Sequence, residues 1–85
     1  MEHIKYMTIS FKEGVPTSSE LFREFNDCNG WVNWYEAAHK DDVGAYCIKA
    51  YAFKGTDLEP MGGWMNKAHK NLRHDYLKQI NREVK

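Results

Sequence analysis

Four histidines (His3, His39, His69, His74), two cysteines (Cys28, Cys47) and the pair Asp41-Asp42 are the candidate metal ligands in this 85-residue chain. Paired ligands on a helix need i, i+4 spacing. His69 and His74 are five apart, which on a helix of 3.6 residues per turn splays them by about 140°. Neither Cys-x-x-Cys nor His-Glu-x-x-His occurs, so no metal site and no cofactor is expected. Cys28 follows Asp27, and Cys47 sits in an apolar run. A reactive thiolate needs an electropositive, partly open setting, so both read as small hydrophobes. Gly-x-Ser-x-Gly is absent. General acid–base chemistry on RNA would need His69, Arg73, His74, Glu36 and Tyr35 to meet. That set is a second alternative, a small RNase-like enzyme. Gly62-Gly63 could offer amides to a phosphate ahead of a helix, but no P-loop or Gly-x-Gly-x-x-Gly pattern accompanies it.

Binding chemistry has more candidates. Trp31, Trp34, Tyr35, Met61 and Trp64 cluster near two glycine-containing turns. Trp, Tyr and Met are enriched in protein–protein interface cores. The same rings also suit a domain core, since a small domain has little else to bury. A second set is basic. Lys67, Lys70, Arg73, His74, Lys78 and Arg82 fall on one side of a C-terminal helical pattern. Tyr35, Tyr51 and Phe53 could add stacking surfaces for bases. Against this, the sequence pI is about 6.9, well below the value above about 9 of dedicated nucleic-acid binders. The zero net charge hides an asymmetry: residues 65–85 hold six basic and two acidic residues, the first 64 six and ten.

These side chains must be positioned by a few short elements. Residues 3–11 read as a strand with Met7, Ile9 and Phe11 on one face and Ile4, Tyr6 and Thr8 on the other. Both faces are largely apolar, as in a central strand covered on both sides. Thr17-Ser18-Ser19-Glu20 matches a capping box, with Leu21, Phe22, Phe25 and Cys28 at helical spacing behind it, so a helix is expected over 18–28. Residues 31–39 fit both a helix, through Trp31, Trp34, Tyr35 and Ala38, and a β-prone strand; the balance leans to strand. Residues 43–54 read as a strand with Tyr46 and Ile48 on one face and Cys47, Lys49, Tyr51 and Phe53 on the other. Lys54-Gly55-Thr56-Asp57 is a turn. From about 63 to 83 a long amphipathic helix is expected, entered through a flexible Gly62-Gly63.

The expected fold is a small two-layer α+β domain spanning 1–85, β-α-β-β-α or alternatively β-α-α-β-α, with helices packed on one face of a short sheet. No window approaches the roughly 20 apolar residues of a membrane span, and the first residues lack a signal peptide's apolar stretch. Reduced cysteines then fit a cytoplasmic protein. The leading expectation is a non-enzymatic protein-binding domain, an adaptor, regulator or inhibitor of the kind phages and mobile elements encode. It would use Trp31, Trp34, Tyr35 and Trp64. A nucleic-acid-binding module built on the basic helix is the alternative. The near-neutral charge leaves homodimerisation open.

Overall fold

In the computed structural model, which describes residues 3–72, the chain runs β1 (Tyr6–Lys12), β2 (Val15–Phe22), α1 (Phe25–His39), β3 (Tyr46–Lys54) and β4 (Asp57–Met65). A short helical segment follows at 67–72. The four strands form one antiparallel sheet in the order β2-β1-β3-β4. With α1 on one face, this is the expected small α+β architecture. The element order is not the expected one: a β-β-α-β-β unit replaces β-α-β-β-α and its alternative.

Local backbone geometry at two places accounts for much of the difference. Glu13 and Gly14 both take positive φ, 54° and 81°, and Lys12 pairs with Val15 across them. This two-residue turn has the left-handed pair that closes a hairpin with the twist of its strands. It commits 15–22 to strand rather than helix. The Thr17 hydroxyl, expected to cap a helix, instead donates to the Ser10 carbonyl at 3.2 Å. The helix begins at Phe25, beyond the expected 18–28 start, and absorbs 31–39, which is helical and not strand. Gly30 lies inside it. Finally, Gly62 and Gly63 are not a flexible helix entry. They lie in β4 with φ of 136° and 146°. A Cβ on Gly63 would sit 2.0 Å from the Ile48 carbonyl oxygen. The helix expected over 63–83 starts at 67, and its stretch beyond 72 lies outside the described residues.

Register assigns each side chain to a face. Tyr6, Thr8 and Ser10 pair with Ala52, Ala50 and Ile48, and Trp64 pairs with Ile48. Opposed residues share a face, so these form the layer under α1. The second face takes Met7, Ile9 and Phe11 with Tyr51, Lys49 and Cys47, and Gly63 and Met65 beyond them. The strand faces expected for 3–11 and 43–54 are therefore those of β1 and β3, and β1 is central. Among the described residues the largest fully buried side chains are Ile48, Thr8, Cys28 and Cys47. This described part of the core is partly polar and is not built from the largest rings.

Candidate functional site

α1 is held down by Cys28 and Tyr35, both buried. They are seven residues apart, two turns of one helix face. The Tyr35 hydroxyl donates to the Phe11 carbonyl at 3.1 Å, and its ring meets Tyr46 and Trp64 edge-on. Burial, reinforced by nearby Cys47 and Tyr46, pushes the Tyr35 phenol up from its ordinary value. His39 stacks on Tyr46 at 4.2 Å and pairs through Nδ1 with Asp42 at 2.8 Å, closing the end of the helix. Two of the four aromatic residues expected at a protein interface, Tyr35 and Trp64, thus pack between α1 and the sheet.

Of the other two, Trp34 faces outward and Trp31 is half-buried. At about 100° per residue, Asp27, Trp31, Trp34 and Ala38 fall on one flank of α1. Trp34 is 56% exposed and stacks on Trp31 with ring centroids 4.9 Å apart. The Trp31 indole N–H is buried without a hydrogen-bond acceptor among the described residues. Such an orphan costs on the order of 1–3 kcal/mol. A purely structural ring such as Phe would avoid that cost. Within α1 the acidic residues are Asp27 on this flank and Glu36 on the other, with no Lys or Arg, so the helix as a whole carries negative charge. The opposite flank, with Phe25, Val32 and Glu36, lines a cavity of about 220 Å³ shared with Met61, Gly62 and Trp64.

Behind the sheet, a cleft of about 610 Å³ runs over β3 and β4. Its floor includes Gly62 and Gly63, and its sides include Tyr51, Pro60 and Met65. Among the described residues, Lys49 and Lys70 are its only charged lining residues. Lys70 is placed by the helical start at 67, which Asn66 caps by accepting the His69 N–H at 3.0 Å. Of the expected basic set, Lys67 and Lys70 are exposed. Arg73, His74, Lys78 and Arg82 lie outside the described residues. The cleft was legible in part: alternation puts Lys49, Tyr51 and Phe53 on one face, but nothing local brings Lys70 to them.

The chemical sets fare differently. Among the described residues no group of three or more His, Cys, Asp or Glu could hold a metal ion. Burial raises the Cys28 thiol, which favours the protonated, unreactive form. In the acid–base set, Tyr35 is committed to the Phe11 carbonyl, His69 is buried at the start of the 67–72 segment, and Glu36 lines the α1–β4 cavity. Arg73 and His74 lie outside the described residues. Among the described residues no helix is long and apolar enough to cross a membrane. No protein family, curated protein or solved structure matches the chain.

Proposed function

We propose that this chain is a non-enzymatic binding protein, an adaptor, regulator or inhibitor, that recognises another protein through the outer flank of α1. On this proposal it acts in the cytoplasm, with both cysteines reduced. The observation that carries it is the Trp31–Trp34 stack with Trp34 exposed. Tryptophan is enriched at binding hot spots, and one left open beside a half-buried partner presents a rigid apolar shelf. Gly30, Ala37 and Ala38 surround the shelf with small side chains, and Asp27 and Glu36 give its helix negative charge. Charge complementarity then selects a partner segment with an apolar anchor flanked by Lys or Arg.

A fluorescence titration tests this. A 14-residue Leu/Lys helical peptide should saturate the tryptophan signal, and a Leu/Glu peptide of the same pattern should not. Trp34→Ala should weaken binding at least tenfold while leaving the unfolding midpoint nearly unchanged. Equal binding of both peptides, or wild-type affinity in folded Trp34→Ala, overturns the assignment.

A further inference from the structure

The second face of the sheet has a charge pattern of its own. Register places Ile9, Phe11, Lys49, Tyr51, Gly63 and Met65 there with others. Of the strand residues paired onto this face, Lys49 is the only charged one. The strand carboxylates go elsewhere: Glu20 pairs with Thr8, Glu59 with Ala52 and Asp57 with Lys54, all in the register of the α1 face. The Lys49 ammonium lies over the Phe11 ring, 5.3 Å from its centroid, which keeps it above the sheet. The 67–72 segment adds Lys70 to the same cleft. The result is an apolar trough with an aromatic wall, two ammonium groups and, among the described lining residues, no carboxylate.

We propose that this cleft binds single-stranded nucleic acid, with a base against Tyr51 over the Gly62-Gly63 floor and the backbone phosphates between Lys49 and Lys70. The chemistry fits on both counts. A base offers a flat π-face to an aromatic ring regardless of sequence, and the lysines answer the phosphate charge. An acidic peptide would use the lysines but leave the apolar floor and the ring without a planar partner. Gly63 keeps the floor flat, because any side chain there would strike the Ile48 carbonyl. The site lies across the sheet from the tryptophan shelf and does not depend on it.

Fluorescence anisotropy of the full chain with labelled oligo(dT) and oligo(U) 12-mers, between 50 and 200 mM salt, decides the matter. Two phosphate contacts predict a log–log salt slope of about −1.4, and Lys49→Gln or Lys70→Gln should each remove about 0.7 of it. Tyr51→Ala should weaken binding about fivefold or more, Tyr51→Phe should not, and Lys40→Gln, at the end of α1, should change nothing. The lysine variants keep the test sound if Tyr51→Ala unfolds. No saturable binding at 50 mM salt, a slope indifferent to both lysines, or a 12-residue poly-Glu peptide binding as tightly as the oligonucleotides would each overturn the proposal.

Discussion

Asn66 shows how much one side chain can join. Its Oδ1 accepts the Tyr46 and His69 N–H groups, both at 3.0 Å. Its Nδ2 donates to the Gly44 carbonyl at 2.7 Å, and its own N–H donates to the Tyr46 carbonyl at 3.0 Å. It therefore ties the start of β3 to the end of β4 and caps the helical segment that carries Lys70. Truncation to alanine strips three bonds and strands polar backbone groups in a buried place. Asn66→Ala should cost about 2–4 kcal/mol, read as a lower urea midpoint at unchanged m-value. Asn66→Asp keeps both acceptor roles and loses only the donor, so it should fall between. Residue-scale roles were the least legible in the sequence. Trp34 and Tyr35 are neighbours of similar type, yet one is 56% and the other 6% exposed. Only the orientation of α1 over the sheet separates them. The polar Thr8 and Ser10 gave no sign of being core, because their burial comes from the helix laid across them.

At the scale of elements, two glycines make opposite predictions. Gly30 has a helical backbone, and an added Cβ would meet nothing within 4 Å. Gly30→Ala should stabilise the fold by about 0.5–1 kcal/mol through helix propensity alone. Gly63 combines a φ of 146° with the Ile48 carbonyl oxygen at 2.0 Å from an added Cβ. Gly63→Ala should therefore break the β3–β4 pairing. Thermal unfolding of the two variants, one raised and one collapsed, checks both. The same elements mark where reading by pattern succeeded. Alternation in β1 and β3 gave their faces correctly, because each is a regular strand whose period is fixed by the pleat. The turn at Lys54-Gly55-Thr56-Asp57 also stands, with Gly55 at φ 63°. The capping box failed because the Glu13-Gly14 turn ties 15–22 to β1, and pairing along the whole strand outweighs one cap. β4 was missed because Pro60, Gly62 and Gly63 each disfavour a strand interior. An edge position and an irregular register between Ala50 and Tyr51 accommodate all three.

For the whole molecule, alkaline pH is the informative stress. Burial raises the Cys28 thiol above its ordinary 9.0, and burial with neighbouring Cys47 and Tyr46 raises the Tyr35 phenol above 10.0. Both groups are held neutral in the folded state and ionise more readily when unfolded. Their stabilising contribution is complete below the unfolded values and declines as pH rises through about 9 and then about 10. Unfolding midpoints should be flat from pH 6 to 8.5 and fall above 9. Cys28→Ala should lower the plateau yet show a shallower fall between 9 and 10. Equal slopes in the two proteins would remove Cys28 from that account. β2 and β4 each carry a proline directly before an extra, unpaired residue: Pro16 before Thr17 and Pro60 before Met61. Each strand has lost a backbone donor and kinks where a neighbouring molecule's strand would have to align. With a sequence pI of about 6.9, charge repulsion offers little protection against self-assembly near neutral pH. The interrupted rims supply that protection by geometry, ending the sheet at four strands and directing association to side chains rather than to exposed backbone.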